Sequence, residues 1–351
     1  MKEIFAKRIK SARTLAGFSL RELSEKMEGI VSHNAIKKYE EGLMMPDSKV
    51  ILALSSALNV NTDFFFRPFT VDIGKIEFRK KAKLLKKEVN SIKENITISI
   101  EKYIELEQFL NVSSAFINPV NHLKINNGED IEEAVNHLLD VWKIGINALP
   151  NVIELLEDKE IKVIELDADE AFDGLSGWAN ENIPLIVINK SFPVERKRFT
   201  ALHELSHLLL SFNPELPKKN IEKLCHRFAG AMLMPKETFL NELGGFRKRI
   251  SVPELIVIKE TYGISIQAIM ARAKDLRVIN EETYINFRKY INSSENYRKE
   301  IGLGKYEGKE YSSRFKQLLY RAAAEEVISM SKAASLANQK LAQFRDEFIA
   351  I

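Results

Sequence analysis

The chain has 351 residues, too many for one small module at the usual ~100–200 residues per domain and enough for two or three. With 45% hydrophobic and 29% charged residues its composition excludes a disordered chain. A single Cys225 excludes an intrachain disulfide, the Lys- and Arg-dotted first thirty residues lack the apolar core of a signal peptide, and no run approaches the ~18–20 apolar residues of a membrane span.

These features point to a cytoplasmic protein with no membrane partner. The net charge of +3 is unevenly spread: the first 95 residues hold 19 Lys/Arg against 12 Asp/Glu, a net +7, leaving −4 for the remainder. A basic N-terminal quarter suits a polyanion partner, because lysines and arginines that neutralise phosphates release counterions.

Apolar positions at Ile4, Phe5, Ile9, Ala12 and Leu15 predict a first helix stopped at Gly17. Ser19 with Glu22 writes a capping box for a second, with Leu20, Leu23 and Met27 inward. Ser32 can cap a third, His33 to Glu41, burying Ile36 and Tyr39 and ending at Gly42. Two short helices joined by a tight turn at Gly29 make a helix-turn-helix candidate. A fourth helix comes after Pro46, and Thr62 is the expected cap of a last short one carrying Phe64 and Phe65. From Ile76 to Leu110 a Lys/Glu-rich stretch without Gly or Pro predicts one long charged helix, read as a solvated strut because no regular apolar seam runs along it.

Asn118-Pro119 and Asn126-Asn127-Gly128 mark a boundary loop, and Asp130 to Ala148 is amphipathic. Then the period changes. Ile161 to Leu166 suggests a strand, and LSGWA and PLIVIN a strand pair turning at Asn180-Glu181-Asn182. Pro193 starts a helix through RFTALHELSHLLL, and Asn220 is the expected cap of the next, IEKLCHRFAGAML. From Pro253 onward the chain reads helical, with loop punctuation at Gly302 to Gly308.

The chemistry is concentrated at His203-Glu204-Leu205-Ser206-His207. Histidines four apart on a helix differ by about 40° around its axis, so both imidazoles can reach one metal. Glu204, about 100° away, can hold an attacking water without ligating. Phe199, Leu202 and Leu209 are expected to form the opposite, apolar stripe. Three of the six histidines lie between 203 and 226. A catalytic zinc takes a third protein ligand, and the next helix offers Glu222 and His226, four apart, with Cys225 between them as a small buried residue.

RFTALHELSHLLL followed by IEKLCHRFAGAMLMP resembles the ImmA/IrrE family of zinc peptidases, with Glu222, Phe228, Ala229, Leu233, Met234 and Pro235 in register. The likeness covers roughly residues 130–245, and YGISIQAIMARAKDL is similar to the tail common in that family. The resemblance implies zinc ligands His203, His207 and Glu222, with Glu204 as catalytic base. Charge agrees, since a carboxylate beside two neutral imidazoles leaves the site at net +1. His226 stands where the family commonly has asparagine, which leaves two roles open: a ligand competing with Glu222 for the metal or, the reading preferred here, a catalytic donor to the substrate oxyanion or to Glu222.

The first 70 residues resemble the XRE family of helix-turn-helix repressors in LRELSEKM and IKKYEEG, although Leu20 replaces the glutamine often found there. The resemblance implies a homodimer on a double-stranded DNA operator, with Ser32, His33, Asn34, Lys37 and Lys38 as the DNA-binding set. The expected fold class is mainly α with a small β-sheet (α+β). The expected division is a helix-turn-helix domain at 1–70, a helical connector at 71–125, a zincin-like peptidase domain at 126–245 and a helical region at 246–351. The function expected is a DNA-binding regulator carrying a zinc endopeptidase that cleaves a repressor or antitoxin, with a cognate toxin as a further partner. The alternative is a repressor or antitoxin whose zinc domain only senses or binds.

Overall fold

The computed structural model describes residues 1–74, 85–112 and 115–349 and is mostly helical with two small sheets. The N-terminal part is α1 (Lys2–Leu15), α2 (Leu20–Lys26), α3 (His33–Glu40), α4 (Ser48–Leu58) and a 3-10 turn (Thr62–Phe66). The Ser19–Glu22 capping box is formed, Ser32 caps α3 through Ala35 N, and Asp47 caps α4 through Val50 N. Thr62 is not a cap: Asn61 precedes the 3-10 turn and no side chain caps it. Phe5, Ile9, Leu23, Ile36, Leu54 and Phe65 form the buried centre.

The first nine residues of the expected charged helix, 76–84, lie outside the described residues. The rest of that stretch, α5 (Lys86–Leu110), is no solvated strut, because it buries Ile96, Ile100, Tyr103, Leu106 and Leu110. Its apolar residues are divided among three partners, which is why no single seam is legible. Ile98 packs on the helix-turn-helix core, Ile96 and Ile100 on the larger sheet, and Tyr103, Leu106 and Leu110 on the C-terminal helices. Arg8 of α1 pairs with Glu101 of α5 at 2.8 Å and donates to the carbonyls of Arg67 and Pro68. Satisfying a buried guanidinium on several sides makes this junction tolerable in low dielectric.

Next come β1 (Lys124–Ile125), α6 (Gly128–Val141) and α7 (Val152–Asp158). The expected helix to Ala148 therefore ends at Val141, where Lys143 and Gly145 take positive φ, and VIELLED forms a helix that its short apolar run does not announce. Strands β2 (Lys162–Leu166), β3 (Gly174–Ala179) and β4 (Ile183–Asn189) form a sheet of order β2-β4-β3, with β4 parallel to β2 and antiparallel to β3. The apolar run of β4 reflects burial on both faces. Ile186 and Ile188 meet Ala201, Leu202 and Leu205 on one side, whereas Leu185 and Val187 meet Ile96 and Ile100 of α5 on the other.

The HExxH segment lies on α8 (Val194–Leu209), followed by β5 (Ser211–Phe212), which pairs in parallel with β1. The next helix, α9 (Lys218–Leu233), starts after Pro217, so Asn220 lies inside it and is not its cap. Proline serves there because its missing N–H is one the first turn leaves unbonded in any case. The chain continues through α10 (Lys236–Leu243), α11 (Val252–Tyr262), α12 (Ile266–Asp275), α13 (Glu281–Ile291) and α14 (Glu295–Arg298). It ends in α15 (Arg314–Ala324), α16 (Met330–Leu336) and α17 (Leu341–Glu347). No described helix is long and apolar enough to cross a membrane.

Candidate metal centre and DNA-binding surface

Helix α8 is held from behind by Arg198, fully buried five residues before His203. Its guanidinium pairs with Glu310 at 2.8 Å and donates to the carbonyls of Gly263 and Leu149 at 3.1 and 2.7 Å. On the other side β3 comes unusually close to α8. A Cβ at Gly174 would lie 2.8 Å from both Val187 O and Thr200 Cγ2, so only glycine fits. That approach lets Ser176 of β3 donate to Glu204 Oε2 at 2.9 Å.

The ligating atoms of His203, His207 and Glu222 all lie within 4.8 Å of one another. His203 Nε2 is 3.6 Å from Glu222 Oε2, and His207 Nε2 is 3.9 Å from Glu222 Oε1. Donors around a tetrahedral zinc at ~2.0–2.1 Å stand roughly 3.3 Å apart, so both carboxylate–imidazole separations are already close to that geometry. Two imidazoles and a carboxylate are also the donor chemistry zinc takes. Cys225 Sγ is 3.8 Å from His207 Nδ1, on the ring nitrogen opposite the one facing Glu222. The His226 ring is 4.6 Å from that of His203 and belongs to the cleft wall rather than to the three-donor cluster.

His203, Glu204, Glu222 and His226 line a cleft of about 430 Å³ whose other walls include Phe172, Asp173, Arg196 and Thr200. Phe199 is part of it, with its ring 5.9 Å from that of His226. It therefore does not belong to the opposite stripe: residues 199, 203 and 207 are successive four-residue steps on one helical track. Ser176 has no signal in the sequence, since nothing local to LSGWA announces a partner 28 residues away. Glu132 of α6 is equally silent there; it binds Arg227 at 2.9 Å and Arg272 at 2.9 Å, anchoring α9 to α6 and α12.

In the N-terminal part Asn34, Lys37 and Lys38 are exposed on α3, with His33 half-buried and the Ser32 hydroxyl engaged at the cap. Lys37 is 3.6 Å from Glu41, an exposed pair of little worth.

Comparison with known proteins bears on both ends of the chain. Residues 156–274 match the family described as IrrE N-terminal-like domain, a peptidase family, and residues 9–65 match the Helix-turn-helix family. The molecule thus joins an XRE-type helix-turn-helix domain, which implies DNA binding, to an IrrE/ImmA-type domain. Among its relatives is the HTH-type transcriptional regulator ImmR of Bacillus subtilis (strain 168), 36% identical over 86 residues, which are 24% of this chain and 61% of ImmR. No solved structure matches. The IrrE-like match runs to residue 274, taking in α11 and nearly all of α12 beyond the motif helices.

Proposed function

We propose that this DNA-binding regulator is also a zinc-dependent endopeptidase that hydrolyses a peptide bond in a regulatory protein of repressor or antitoxin type. The observation that carries the reading is the convergence of His203, His207 and Glu222 beside Glu204 in an open cleft bounded by a strand edge. The two histidines and Glu222 would hold the zinc, which when bound supplies Lewis-acid polarisation and acidifies water. Glu204, kept in place by Ser176, takes a proton from the attacking water and passes it to the leaving amide nitrogen. His226, at the cleft wall, donates to the carbonyl oxygen as negative charge gathers there. Among the described residues the outer edge of β3 is paired only at the Ile73–Ala179 bridge, leaving backbone groups near Gly174 on which an extended substrate can align. At the other end Asn34, Lys37 and Lys38 enter the major groove of an operator, the protein acting as a dimer, with a cognate toxin as a further partner.

The test is Glu204→Gln, assayed against regulators encoded beside the protein's own gene. The variant is expected to keep zinc, fold and operator binding while losing cleavage by roughly 10²–10⁴-fold, the usual share of a general base. Full biological activity of that variant in cells would instead establish a domain that senses or binds without proteolysis.

A further inference from the structure

A second cavity lies away from the HExxH helix, where the helix-turn-helix part, α5 and α16 meet. It measures about 270 Å³, near the low end for small-molecule sites. Its wall is mixed, with more apolar than polar surface; the neutral polar groups are Asn59 and Asn61 from the turn after α4, Asn95 and Ser99 from α5, Ser335 from α16 and Asn338 from the turn beyond it. Two cations face it, Arg67 and Lys102, and one acid, Asp63. Lys102 also borders a neighbouring hollow of about 260 Å³, so the residue lines two open volumes.

The carboxylates around Lys102 are already committed elsewhere. Asp63 accepts from Arg67 Nε at 3.0 Å, Glu101 takes Arg8 at 2.8 Å, and Glu105 pairs with Lys332. Among the described residues Lys102 has no hydrogen bond or ion pair of its own. Burial above all, with Arg67 next, pushes its amine down to about 8 from the ordinary lysine value, while Asp63 and Glu105 only partly oppose this and Lys332 adds to it. A half-buried cation beside a second cation gains most from an incoming anion, which restores both solvation and charge balance.

We propose that this cavity binds a small organic anion, its carboxylate or phosphate seated on Lys102 and Arg67 and its remainder against the mixed apolar and amide wall. Such a ligand touches the DNA-binding part, the shared helix and the C-terminal helices at once, so its occupancy is coupled to their relative stability by linkage. The site is independent of the peptidase reading.

The test uses the full-length protein with its lysines reductively methylated with ¹³C, the Lys102 resonance being identified by its disappearance in Lys102→Met. Inorganic phosphate and glutarate are titrated separately at constant ionic strength. The Lys102 signal is expected to move saturably with one or both while exposed lysines such as Lys37 move little, the difference between the two probes telling phosphate from carboxylate ligands. The melting temperature should rise with the active probe in the wild-type protein and not in Lys102→Met or Lys102→Gln. A Lys102 signal unmoved by both probes to about 20 mM, or equal thermal shifts in wild type and variants, would overturn the proposal.

Discussion

Glu222 and His226 are one turn apart on α9, yet only Glu222 brings an oxygen to within 4 Å of both His203 and His207. His226 faces the ring of His203 from the cleft side. Replacing each should therefore have different consequences. Glu222→Ala is expected to release zinc outright, whereas His226→Ala is expected to keep about one zinc per chain and lower turnover; metal analysis after gel filtration separates them. Zinc loss from His226→Ala with retention in Glu222→Ala would exchange the two roles.

Helix α9 is tied to α6 and α12 by Glu132, a largely buried carboxylate shared by Arg227 and Arg272. Burial alone pushes this carboxyl up, but the two guanidiniums outweigh it and hold it below the ordinary glutamate value of 4.5. A folded value below the unfolded one gives stability that is present above about pH 4.5 and lost as pH falls through the lowered folded value. Glu132→Gln takes the shared carboxylate from buried Arg272 and half-buried Arg227 and is expected to cost ~3–5 kcal/mol at pH 7. The gap between wild type and variant should narrow at about pH 3.5, as urea unfolding at the two pH values would show; an equal gap at both would refute the charge argument. Such pairs have no local signature. Glu132 and Arg272 are 140 residues apart, and each looks in sequence like an ordinary exposed helix charge.

At the scale of the molecule α5 is the common wall of three hydrophobic clusters, so its removal from water supports the helix-turn-helix part, the sheet and the C-terminal helices together. Leu106→Ala is expected to cost 2–5 kcal/mol, the range for a fully buried leucine. Trp142 and Trp178 report on the large core, and their fluorescence transition should shift with the far-UV signal. A strut would pass this substitution with no measurable loss.

Whatever one helix or one hairpin decides is legible in the amino-acid sequence itself. The capping box at Ser19, the glycine stop at Gly42 and the HExxH spacing each depend on neighbours within a few residues, where backbone geometry alone sets which side chains meet. So does the Asn180-Glu181 turn, both of whose φ angles are positive. The mainly α architecture with a small sheet arises from the same local periods. Tertiary packing alone decides everything set by meetings across long stretches of chain. Such meetings include the closeness of Gly174 to α8, the reach of Ser176 to Glu204, the clamp of Arg198 on Glu310, and the burial of a helix that reads as charged. Leu106 and Glu105 are adjacent in the chain, and only the arrival of α15 to α17 on one side of α5 makes the first core and the second the partner of Lys332. Side-chain pattern reports which face of an element is apolar, but not how many neighbours will divide that face between them.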